Sequence, residues 1–199
     1  MYRNVEEFEK LGTDVQVPVP WGHIACREFG RPGGKQVLMT HGWLDNLGTW
    51  SQLVPELLRR DPDLHIIAFD EPGCGFSSPK PKGMYYESLG TLVDMRRIVK
   101  HMKWEKVTLI GHSKGAYYSF MYAAIFPAGV TQLISCDMAG PEIEMSRPLG
   151  ENIDQRIEMD VSFVNDPTGK RFNKIYTYDD AVGKSLKTKC SINLIFNQF

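Results

Sequence analysis

The chain has 199 residues, a formal net charge of -1, 42% hydrophobic residues and 24% charged residues. That length suits one domain with a substantial core and is too short for two large ones. The near-neutral charge gives no electrostatic basis for binding nucleic acid or an anionic membrane.

The four cysteines, Cys26, Cys74, Cys136 and Cys190, are scattered. They form no C-x-x-C pair and have no histidine at ligand spacing, so free thiols are expected and no metal site is. The opening segment MYRNVEEFEKLG is too acidic and polar for a secretory signal. No apolar run reaches the length of a membrane span, and Asn197-Gln198-Phe199 is not a peroxisomal tripeptide. A cytoplasmic, intracellular protein is expected, with the peroxisome left open.

Residues 15–19 and 23–28 read as short strands joined by Pro20-Trp21-Gly22. A turn at Arg31-Pro32-Gly33-Gly34 leads into a buried strand over 36–40, which ends at His41-Gly42-Trp43. Residues 50–59 carry Leu53, Leu57 and Leu58 at helical spacing. A strand over 65–69 ends at Asp70, and Pro72-Gly73-Cys74-Gly75 breaks the chain. Residues 88–103 place Leu89, Leu92, Val93, Met95, Val99 and Met102 at helical spacing, with Arg96, Arg97 and Lys100 on the other side. A strand over 107–110, a helix over 115–126 stopped by Pro127, and a strand over 133–136 ending at Asp137 complete the pattern. Strands alternating with helices predict an α/β fold, a mostly parallel sheet with helices on both faces. In such sheets the ligand sits beyond the carboxyl ends of the strands. His41-Gly42-Trp43, Asp70, Ser113 and Asp137 all fall there. From Pro141 onward the alternation stops.

Gly111-His112-Ser113-Lys114-Gly115 is a G-x-S-x-G motif between a strand and a helix. There the chain exposes a serine on a tight turn, and the glycines remove side chains that would strike the neighbouring backbone. Ser113 is therefore the candidate nucleophile. It needs a base for its proton and donors for the oxyanion. One donor would be the N–H of Lys114, at the start of the following helix, and the other the N–H of Trp43. The bland alternative makes Trp43 a core aromatic, as Trp50 is expected to be. Asp137 is a candidate triad acid, or else it caps the next segment. Asp70 is expected to brace the Pro-Gly turn, and Asp94 to be a solvated charge. All five histidines, His23, His41, His65, His101 and His112, precede Ser113. In this kind of site the order along the chain is Ser, acid, His. His41 and His112 occupy backbone-turn positions unsuited to a base, and His101 is expected at the surface.

His41-Gly42-Trp43-Leu44-Asp45, Asp70-Glu71-Pro72-Gly73-Cys74-Gly75-Phe76-Ser77 and the segment 111–115, in this order, resemble the α/β-hydrolase superfamily. Within it the chain is similar to the kraken-like serine hydrolases, the serine hydrolase-like protein group. Residues 85–106 and the Phe126-Pro127 helix end also resemble that group. The resemblance spans about residues 15 to 145.

It implies hydrolysis of a small ester, thioester or amide, without a cofactor, through an acyl-enzyme on Ser113. Lys114 departs from the small or apolar residue usual after the serine, and Cys74 stands where histidine is common. The later strands and the histidine that the family carries have no counterpart, so a C-terminally shortened product is expected. The organisation read from the sequence is a hydrolase core over 1–140, a partial cap over 141–187 and an atypical tail over 188–199. The partner expected is a small acyl substrate, with self-association through an uncovered sheet edge. The competing reading is an inactive relative that binds a small ligand or a partner protein.

Overall fold

The structure, a computed structural model, describes residues 3–84 and 86–138. Residues 3–80 and 86–138 belong to one compact unit, and 81–84 to a second. The expected cap over 141–187 and tail over 188–199 lie outside the described residues.

The elements in chain order are α1 (Arg3–Leu11), β1 (Gly12–Val19), β2 (Gly22–Gly30), β3 (Lys35–Thr40), a 3-10 turn (Leu47–Ser51), α2 (Leu53–Arg60) and β4 (Leu64–Phe69). There follow α3 (Ser88–His101), β5 (Val107–His112), α4 (Lys114–Ile125), a second 3-10 turn (Pro127–Gly129) and β6 (Val130–Cys136). One six-stranded sheet runs β1-β2-β4-β3-β5-β6. β1 and β2 are antiparallel, and β2 joins β4 antiparallel. β4, β3, β5 and β6 are mutually parallel.

The two-residue period of a strand sorts the core onto two faces. Leu38, Ile67, Phe69 and Leu109 pack with Leu92, Met95, Ile98 and Val99 of α3 and with Tyr118 and Tyr122 of α4. Val37, Met39, Ile66, Ala68 and Ile110 face the other way, onto Phe8, Trp50 and Val54. Burying each large apolar side chain contributes about 1.5–3 kcal/mol, which fixes the register, because a one-residue slip would turn both sets around.

Three local features depart from the sequence reading. Helix α1 was not expected, because it carries a single strong anchor in an acidic segment. Phe8, 0% exposed, packs on Phe29 with ring centroids 4.7 Å apart, and Arg27 ties the helix down through Glu9 at 2.8 Å. The stretch containing Trp50 is a 3-10 turn preceding α2 rather than its first turn, capped by the Asn46 side chain accepting from Gly48 N–H. Asp94 is only 1% exposed, not solvated. It sits on the face of α3 that also carries Thr91, Met95 and Ile98, all turned inward.

β6 pairs with β5 on one side, and no described strand pairs with its other side. An edge of open N–H and C=O groups is a template for a further strand, and Ile134 on β6 is 46% exposed. Self-association through this strand, expected from the sequence, has a direct test. Sedimentation velocity should show a concentration-dependent shift that Ile134→Lys, a charge on the edge strand, reduces. A wild-type chain monomeric at every concentration would refute this.

Candidate active site

The carboxyl ends of β3, β4 and β5 meet at one edge of the sheet, and each delivers part of the site. At the end of β5, Ser113 adopts φ 50° and ψ -120°, a left-handed backbone that an L-residue rarely takes. The strain is held by packing that leaves no room for Cβ atoms. A methyl on Gly111 would meet the Ala116 backbone, and one on Gly115 would run into the carbonyl oxygens of Thr40 and His41. The Ser113 N–H donates to the Cys136 carbonyl at 2.9 Å, and the Ser113 carbonyl accepts from Ala116 and Tyr117. The turn is thus fastened to β6 on one side and to α4 on the other.

Lys114 opens α4, so its N–H has no carbonyl one turn back within the helix. Across the cleft, Gly42 approaches the elbow closely: a Cβ there would lie 3.6 Å from Ser113 Cβ and 3.0 Å from His112 Nδ1. Trp43, the next residue, is 66% exposed and so is no core aromatic, whereas Trp50 is buried. Leu44 follows with φ 55°.

His41 is fully buried and uses both ring nitrogens. Its Nε2 accepts the Glu71 N–H at 3.0 Å, so the ring hydrogen sits on Nδ1, which donates to the Gly42 carbonyl at 2.7 Å. It buckles two loops and has no nitrogen left for Ser113. His65 is the second residue of β4, at the amino end of that strand, with Nε2 2.5 Å from Glu28 Oε1. His23 bonds the Phe76 carbonyl through Nε2, and His101 ends α3 exposed to solvent. His112 Nδ1 is buried beside Gly42 with no described partner. Among the described residues, no histidine accepts the Ser113 hydroxyl hydrogen.

Asp70 braces the turn, as its position suggested. One carboxylate oxygen accepts the Leu47 N–H at 2.7 Å and the other the Phe76 N–H at 2.8 Å. Burial raises its pKa, opposed by those two bonds. Asp137 follows the carbonyl that holds Ser113, with φ 67° and an exposed side chain.

The sequence reading overlooked the side-chain partner of Lys114. The Lys114 ammonium lies 3.3 Å from Glu71 Oε2 and 5.0 Å from the centre of the Tyr118 ring. Burial works against that charge, but Glu71 and the Tyr118 hydroxyl outweigh it, so the Lys114 pKa is raised. A lysine held protonated cannot take the serine proton. The Cys74 thiol, beside this pair, is pushed up to about 11 by burial with Glu71 adding to the effect, which makes it a poor nucleophile. The one signal for the pair in the sequence is Lys114 itself, a charge where an apolar residue is usual.

Comparison with known proteins bears on the fold and the family. The family described as alpha/beta hydrolase fold matches residues 35–172. The chain belongs to the α/β-hydrolase family. It is 35% identical over 182 residues to a "Probable serine hydrolase" of Drosophila melanogaster, covering 89% of this chain and 54% of that protein. It is 32% identical to a "Serine hydrolase-like protein" of Danio rerio, covering 87% of this chain and 52% of the relative. The chain thus spans about half the length of these curated relatives. A hypothetical protein from Pseudomonas aeruginosa PAO1 of known structure superposes with a TM-score of 0.71 at 27% identity, covering 88% of this chain and 58% of that one. Among the described residues no helix is long and apolar enough to cross a membrane, and no group of three or more His, Cys, Asp or Glu could hold a metal.

Asp94, on α3, offers a test of the buried charge near the site. Its pKa is raised chiefly by burial; Arg97 at 2.6 Å opposes this and the Glu71 charge adds to it. The folded chain therefore holds this proton more tightly than the unfolded one. That contribution is present at low pH and is lost as pH climbs from about 4 through the raised value. In urea titrations at about pH 4 and about pH 7, Asp94→Asn is expected to lose less stability with rising pH than the wild type. Equal slopes would show that Asp94 does not titrate in this window.

Proposed function

We propose that this α/β-hydrolase relative acts on a small ester, thioester or amide through an acyl-enzyme on Ser113. The observation that carries the reading is the Ser113 backbone at φ 50° and ψ -120° between β5 and α4, flanked by glycines pressed against the backbone. Such strain survives only where surrounding structure over-determines it, and it concentrates at functional positions. In the proposed step Ser113 Oγ attacks the substrate carbonyl carbon and its proton passes to a base. The negative oxygen that forms is met by the N–H groups of Trp43 and Lys114. The tetrahedral species then expels a protonated alcohol, thiol or amine, and water releases the acid from Ser113. Asp137, one residue past the carbonyl that fixes Ser113 N–H, is the acid we assign to orient the base.

The names of the similar fly and fish proteins support the class of chemistry. The base is the open element, since no histidine follows Ser113 in the sequence. That same observation favours a second reading, a relative that binds a small ligand in the cleft without turning it over.

A fluorophosphonate probe read by intact mass separates the two. Wild-type protein is expected to gain one adduct and Ser113→Ala none. Removing triad members still leaves catalysis of about 10³–10⁴-fold over water in enzymes of this chemistry, so slow labelling counts as activation. Folded wild-type protein that takes no label would leave the binding reading.

A further inference from the structure

Glu71 is an odd residue to bury. Its side chain is about nine-tenths covered, with Oε1 shielded and unpartnered among the described residues. A buried carboxylate oxygen without a donor is costly. What Glu71 holds in return is informative. Its Oε2 accepts from Lys114 Nζ at 3.3 Å and from Thr91 Oγ1 at 3.4 Å. Its own N–H donates to His41 Nε2, and His41 Nδ1–H donates to the Gly42 carbonyl.

The peptide after Gly42 is trans, as none of the described residues has a cis bond. In a trans peptide the C=O and the next N–H point in opposite directions. Fixing the Gly42 oxygen toward the His41 ring therefore aims the Trp43 N–H away from it. The other assigned donor, the Lys114 N–H, belongs to the residue whose side chain Glu71 grips. One residue thus reaches both donors, one through its carboxylate and the other through its backbone and His41.

We propose that Glu71 and Lys114 form a positioning pair that sets the two oxyanion donors, Trp43 N–H and Lys114 N–H, in register with each other. The proposal rests on the nucleophile reading of Ser113. It also accounts for the lysine after the serine. That side chain is not a base and not a free cation for an anionic substrate, because its charge is already committed to Glu71. The isolated contacts are modest, but misplacement of a reacting group by about 1 Å costs on the order of a hundredfold in rate.

The test compares the wild-type chain with Glu71→Gln, Lys114→Met, Lys114→Arg and the double variant Glu71→Gln/Lys114→Met. The rate of fluorophosphonate capture is resolved into a binding constant and a maximal rate. Lys114 is partly exposed and Glu71→Gln is isosteric, so both variants should fold. Each is expected to lower the maximal rate about tenfold to a hundredfold with little change in binding. The double variant should be no slower than the worse single one, because both cut the same link. Lys114→Arg, which keeps the cation, should recover most of the rate. Losses that multiply in the double variant, or single variants that match the wild type, would overturn the pairing.

Amide hydrogen exchange supplies a readout that needs no chemistry at Ser113. In Glu71→Gln the Asp45 and Ala116 amides, bonded to the carbonyls of Gly42 and Ser113 next to the two donors, are both expected to exchange at least about tenfold faster, as the opening free energy of those segments falls. If the wild type takes no label, the nucleophile reading fails. Faster exchange at both amides would then still support the pairing, and unchanged exchange would refute it.

Discussion

The carboxyl edge of the sheet depends on one steric constraint, the approach of the first turn of α4 to the end of β3. Gly115 lies where any side chain would strike the Thr40 and His41 carbonyls. With that approach allowed, β5 can reverse directly into α4 and Ser113 is left on the corner with left-handed φ. The same closeness brings Gly42 up against Ser113, so the β3 loop and the elbow share one small space. The helices on the two faces supply the clamping force. α3 and α4 share one apolar cluster, and α1 and α2 face the other.

Around that corner the polar groups are arranged as a linked series rather than as separate pairs. Lys114, Glu71, His41 and Gly42 come from α4, the loop after β4, and the loop after β3. Each bond is worth little by itself in water, and burial raises the cost of leaving any one unmade. Such a series explains why a histidine so close to the serine is no base. Its two nitrogens are consumed in holding backbone. Asp70 plays a parallel role one residue earlier, with both carboxylate oxygens occupied by N–H groups.

Most of the fold was legible because its signals are local. Parallel strands buried on both faces read as unbroken apolar runs such as residues 66–69, and α3 shows a full helical stripe. The elbow, the Pro-Gly turn and the bracing role of Asp70 were legible from residue type and spacing. What escaped depends on contacts distant in sequence. Phe8 gives α1 its place through contacts distant in sequence, with Phe29, Arg27 and the cluster around Trp50 and Val54, which no pattern within 3–11 announces. Asp94 reads as solvated because a carboxylate usually is, yet it lies on the inner face of α3 with Arg97 one turn on. Glu71 and Lys114 are 43 positions apart, so their pairing could be seen only in three dimensions.

The Asp70 carboxylate has a mechanical consequence. It grips Leu47 on the loop that follows Trp43 and Phe76 on the loop opposite, like a rivet through two plates. The two rims of the cleft therefore cannot spread without breaking buried bonds to a single carboxylate. Aperture is left to the exposed side chains mounted on those rims, Trp43, Leu44 and Phe76, which can rotate while the backbone stays still. Backbone spacing and side-chain freedom are thus set by different parts of the same two loops.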